Sequence, residues 1–215
     1  MMSRLEDTNQ FLDLENIFSL VSHLRYVAIK IDAPGFTKAF PKIYPVGRDV
    51  DVVCHPEDFD RIVEICDNNI AYPKDFTKHV IRDGSAQTRL RIHSPEYFLR
   101  PNSRPTDKLI QGRPWTQLHF QIDITTTLNS DYENLTDSFL NSLFDEKEHL
   151  NGVKILSQKK ESVFRLLSYE KSRKQSHHTE YLLRHANLEI LEHFKNENFM
   201  NSCRKILIKL FDREE

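Results

Sequence analysis

The sequence predicts an α+β protein: a small β-sheet flanked by helices, followed by a helical carboxy-terminal region. Three observations carry this. Short β-rich runs recur at residues 26–31, 50–54 and 117–124. A stretch of helical apolar spacing follows the second of them directly, as in a strand-to-helix unit. Near residue 130 the texture changes to charged segments whose apolar residues recur at helical spacing. A chain of 215 residues has room for one domain, or for a catalytic-sized domain with a small appendage. The division is expected between residues 1–130 and 131–215.

Residues 12–24 place Leu12, Leu14, Ile17, Phe18, Leu20, Val21 and Leu24 nearer a 3.6 than a 2 repeat, which predicts an amphipathic opening helix. The run 26–31 is apolar, β-rich and bounded by the turn signal Asp32-Ala33-Pro34-Gly35, so it reads as the first strand. Pro41 and Pro45 interrupt the next stretch, and residues 50–54 form the second strand. His55-Pro56-Glu57-Asp58 has an early proline and two acids, the signs of a helix start, and Phe59, Ile62, Val63 and Cys66 continue it. Residues 77–93 read as a hairpin turning at Asp83-Gly84-Ser85, with Arg89 and Arg91 on one face. Residues 94–114 hold four of the nine prolines and show no period, which predicts a long surface loop or lid closed by Trp115. In 117–124, alternation turns Leu118, Phe120, Ile122 and Ile124 to the core and His119, Gln121 and Asp123 away from it. The remaining apolar groups, around Leu135–Phe144, Val163–Leu167, Tyr181–Leu191 and Cys203–Leu210, predict helices.

The charge balance narrows the function. Thirty Lys and Arg against 32 Asp and Glu leave a net −2, and neither half is a basic arm. That argues against a polynucleotide partner. No apolar run approaches the ~20 residues of a membrane span, and the amino terminus has no apolar leader, so a cytoplasmic protein without membrane contact is expected. Cys54, Cys66 and Cys203 show no CxxC spacing, which points away from a disulfide framework and from a thiolate zinc site. His177, His178 and His185 have no acid or thiol beside them and read as a solvated helix surface.

The segment that carries chemistry is Gly47-Arg48-Asp49-Val50-Asp51. Two Asp one residue apart at the start of a strand project to the same face, and adjacent carboxylates repel unless a cation lies between them. Hard oxygen ligands suit Mg²⁺ or Mn²⁺. Asp123, on another strand and also turned from the core, is the candidate third ligand, and His119 shares its face. An Asp-x-Asp pair also holds the metal of glycosyltransferases that use sugar nucleotides, although the chain is short for one and lacks an early glycine-rich signature.

These residues resemble the nucleotidyltransferase-fold superfamily, the polymerase-β-like enzymes and their small bacterial relatives. The family carries a Gly-Ser or Gly-Gly turn after its first strand, an Asp-h-Asp or Asp-h-Glu pair with h apolar, and a third acid on a later strand. Here the pair is Asp49-Val50-Asp51, the later acid is Asp123, and Pro34-Gly35-Phe36 stands at the turn, with twelve residues between Phe36 and Asp49. The resemblance spans roughly residues 20–130 and implies a small mixed sheet of the nucleotidyltransferase type. It also implies transfer of a nucleotidyl group from a nucleoside triphosphate to a hydroxyl of a small-molecule, sugar or protein acceptor, with Mg²⁺ or Mn²⁺. Asp49, Asp51 and Asp123 are then metal ligands, and Asp123 takes the acceptor's proton. Gly35, Lys38, Gly47 and Arg48 are the expected nucleotide-binding residues, with Arg89, Arg91 and His119 lining the site. Phe36 occupies the place of the family's small residue, which keeps a non-catalytic interaction module of the same fold as the alternative.

Overall fold

A computed structural model describes residues 13–31, 38–42, 49–72, 74–93, 119–127, 141–145, 147–169 and 176–185, with the isolated positions 201, 204, 205 and 208. The chain divides into two compact units, one of residues 1–126 with 149–155 and one of residues 127–148 with 156–215.

The opening helix α1 spans Leu14–Leu20, with Asp13 capping it by accepting from the Asn16 N–H at 3.0 Å. It is shorter than the apolar spacing predicts, because residues 21–24 continue as turns. Strand β1, Tyr26–Ile29, ends where Lys30 takes a left-handed backbone (φ 59). Strand β2, Asp49–Cys54, leads through a short 3-10 turn, Pro56–Asp58, into α2, Phe59–Asn69. The hairpin of β3, Thr77–Asp83, and β4, Gln87–His93, turns at Gly84 (φ 65), and β5 covers His119–Thr125. Two further strands, β6 (Lys147–Leu150) and β7 (Val153–Leu156), follow.

Among the described residues these strands form one seven-stranded mixed sheet in the order β3-β4-β5-β2-β1-β7-β6. The pairs β3/β4, β4/β5 and β1/β2 are antiparallel, and β2/β5 and β1/β7 are parallel. One face of the sheet joins the two helices in a core. Leu14, Ile17 and Phe18 of α1 and Phe59, Ile62, Val63 and Cys66 of α2 cluster with Val50, Val52, Leu90, Ile92, Phe120, Ile122 and Ile124. Each such side chain, fully buried, contributes about 1.5–3 kcal/mol relative to exposure. Cys54 and Cys66 are free thiols buried in this core, and burial pushes both up to about 12.

The corner between β2 and α2 is tied to the start of β1 by Arg25. Its backbone N–H and Nε donate to Asp58 Oδ2 at 3.0 and 2.7 Å, and its terminal nitrogen donates to Glu57 Oε2 at 2.7 Å. Hydrogen bonds from Arg25 hold both carboxyls below the usual carboxylate range. The group is open to solvent, so it orients the corner more than it stabilises it.

Beyond residue 131 the apolar spacing predicts helices alone, whereas residues 147–156 form the β6/β7 hairpin, whose strand β7 pairs with β1 (Ala28 opposite Ile155). The cause is local. Asn151 (φ 48) and Gly152 (φ 85) both take positive φ, the requirement of a type I′ turn, and Asn-Gly is its preferred pair. The Asn151 side-chain amide also donates to the carbonyls of Lys38 and Phe40, both at 2.7 Å, and so anchors the turn at 38–42. In the second unit, α3 spans Gln158–Tyr169 and α4 spans Ser176–His185. Arg165 is fully buried there, bonded to Glu161 at 2.8 Å and lying 4.3 Å from the centre of the Tyr181 ring. His185 Nδ1 lies 2.7 Å from Gln158 Nε2, while the side chains of His177 and His178 lie outside the described residues, as do the predicted lid 94–114 and Trp115.

A Cβ at position 152 meets no atom within 4 Å, so Gly152→Ala carries only the backbone cost of positive φ. It is expected to lower unfolding free energy by about 1 kcal/mol in urea titrations. Asn151→Ala, which also removes both anchoring hydrogen bonds, is expected to cost more, about 2 kcal/mol.

Candidate metal centre

The site lies on the sheet face opposite α1 and α2, and strand alternation builds it. In β2 the core takes Val50 and Val52, so Asp49 and Asp51 face the other way and are partly exposed. In β5 the core takes Phe120, Ile122 and Ile124, which leaves Gln121 and Asp123 on that same face. The parallel register then sets Asp49 opposite Gln121 and Asp51 opposite Asp123. One carboxylate oxygen from each of Asp49, Asp51 and Asp123 lies within 4.8 Å of the other two.

Such proximity has an electrostatic cost. Burial first, then the charges of Asp51 and Asp49, push the Asp123 carboxyl up to about 6, against the opposing pull of a Gln121 hydrogen bond and the Arg89 charge. Three converging carboxylates offer hard oxygen donors on which a divalent cation relieves the repulsion, and the set suits Mg²⁺ or Mn²⁺.

Neighbouring strands supply counter-charges. Lys30 Nζ stands 3.3 Å from Asp51 Oδ1; Lys30 follows Ile29, the ladder partner of Asp51, and its left-handed backbone ends the strand's alternation there. On β4, Arg89 is the ladder partner of Asp123 and Arg91 that of Gln121. Arg91 Nε donates to Gln121 Oε1 at 2.9 Å, and Gln121 Nε2 donates to Asp123 Oδ1 at 2.8 Å. Arg89 also lies 3.9 Å from Asp83 Oδ2.

The structure thus brings together Asp49, Asp51 and Asp123, with Arg89 and Arg91 on the adjoining strand. Lys38 is exposed on the turn at 38–42. Gly35, Phe36, Gly47 and Arg48 lie outside the described residues, and His119 is described only through its backbone, paired with His93. Lys30 and Gln121 are additions to the residues expected from sequence. Alternation places Gln121 on the acid face, and the β4/β5 pairing sets Arg91 beside its amide. The approach of Lys30 depends on a ladder register that no local signal encodes.

No protein-family model matches the chain, and neither a curated protein nor a solved structure matches it significantly. Among the described residues, no helix is long and apolar enough to cross a membrane.

Asp123 binds its proton more tightly in the folded than in the unfolded chain. Its contribution to stability is therefore full below about pH 4 and is lost as pH rises through about 6. In metal-free protein, Asp123→Asn is expected to raise stability by about 2 kcal/mol at pH 8 and to leave it nearly unchanged at pH 3.5. Denaturation in EDTA at the two pH values checks this.

Proposed function

We propose that the protein is a metal-dependent nucleotidyltransferase of the polymerase-β-like superfamily. It transfers a nucleotidyl group from a nucleoside triphosphate to a hydroxyl of a small-molecule, sugar or protein acceptor, releasing pyrophosphate. The observation that carries this reading is the convergence of Asp49, Asp51 and Asp123 from adjacent parallel strands within 4.8 Å. The mixed α+β architecture is compatible with it.

Bound Mg²⁺ or Mn²⁺ would supply charge neutralisation on the phosphate oxygens. Asp49 and Asp51 would hold the cations, and Asp123 would serve as the third ligand and as acceptor of the hydroxyl proton, a role that needs it within hydrogen-bond reach of that hydroxyl. In this reading Arg89, the ladder partner of Asp123 on β4, would meet phosphate oxygens in bidentate fashion. Gly35, Lys38, Gly47 and Arg48 complete nucleotide binding in this reading, and His119 lines the site.

A second reading, a non-catalytic module of the same fold, is favoured by Lys30. An ammonium 3.3 Å from Asp51 provides within the chain part of the positive charge that a cation would bring.

Thermal-shift titration with each nucleoside triphosphate, with and without Mg²⁺, separates the two. Catalysis predicts metal-dependent stabilisation by at least one nucleotide, about 2.7 kcal/mol at 100 times its dissociation constant, and its loss in Asp51→Asn. Absence of any shift with all four nucleotides would favour the non-catalytic module.

A further inference from the structure

Arg91, Gln121 and Asp123 form a hydrogen-bonded chain that crosses from β4 to β5 and ends on the acid cluster. The direction of every bond in it is set by chemistry. A guanidinium has only donors, so the Gln121 atom facing Arg91 Nε at 2.9 Å must be the carbonyl oxygen. The other end of the same amide is then the NH₂ group, which faces Asp123 Oδ1 at 2.8 Å and can only donate to it. Without a donor-only neighbour the Gln121 amide could turn over and set an oxygen against a carboxylate. Both Gln121 and Arg91 are partly buried, which limits replacement of these bonds by water.

We propose that Gln121, locked in orientation by Arg91, is a positioning residue for Asp123. It holds one carboxylate oxygen by a fixed donor and leaves the other, Oδ2, to face a divalent cation shared with Asp49 and Asp51. This inference rests on the metal-site reading above and gives Arg91 a task beyond lining the site. It also separates the arginines of β4: Arg91 orients the amide, while Arg89 is the ladder partner of Asp123 itself. Partners that orient metal ligands in this way typically change metal affinity 10–100-fold when removed.

The test is Mn²⁺ binding to the full chain, with no nucleotide present, followed by electron paramagnetic resonance of the free ion. Gln121→Met, close in size but without a donor, is expected to raise the dissociation constant about 10-fold or more. Arg91→Met is expected to raise it several-fold, and Arg91→Lys, whose ammonium is also donor-only, to stay within about twofold of wild type. The sign for Arg91→Met is discriminating, because loss of a nearby positive charge by itself tightens cation binding. Unchanged or tighter binding in Arg91→Met overturns the inference, as does a Gln121→Met affinity within about twofold of wild type. If Gln121→Met fails to fold, the two Arg91 variants decide alone. A wild-type protein that binds no Mn²⁺ overturns the metal reading and this inference with it. Wild-type binding that Asp51→Asn abolishes and Gln121→Met leaves intact overturns only the inference.

Discussion

The parallel pairing of β2 with β5 is the constraint on which the candidate site depends. Partners across a ladder point to the same face, so setting Asp51 opposite Asp123 makes neighbours of carboxylates 72 residues apart in the chain. That register is held from the other side of the sheet. Val50 and Val52 of β2 and Phe120, Ile122 and Ile124 of β5 share the core with α1 and α2. A slip of one residue in β5 would turn Asp123 into that core and three large apolar side chains out of it. Hydrophobic burial therefore enforces a charge arrangement that the carboxylates on their own would avoid.

The strain this creates is partly relieved within the chain. Lys30 approaches from the end of β1, and the Arg89 charge and the Gln121 amide lower the proton affinity of Asp123. The compensation is incomplete, since the carboxyl still stands at about 6. Lys30, Arg89 and Gln121 thus offset only part of the combined cost of burial and carboxylate repulsion, and a divalent cation would relieve more of the repulsion.

Much of the first unit was legible because its signals are local. Alternation in residues 119–124 separates the core side from the acid side, and Pro56 with Glu57 and Asp58 marks the entry to α2. The β3/β4 turn follows from Gly84. The β6/β7 hairpin was legible too, through Asn151-Gly152, but helical apolar spacing on both sides hides the short strands. Strand β7 reaches the sheet by pairing with β1, more than a hundred residues earlier in the chain, and short-range periodicity carries no information about such a partner.

The same distinction applies to the site. Sequence by itself determined that Asp49 and Asp51 share a face of one strand and that Asp123 and Gln121 share a face of another, because side-chain direction along a strand has period two whatever the strand's neighbours. Only the tertiary structure decided that those two faces are the same face, that β2 and β5 run parallel side by side, and that Lys30 and Arg91 come to them from β1 and β4. Strand order and register are settled by packing a whole apolar face against α1 and α2, and that is a property of all the strands together.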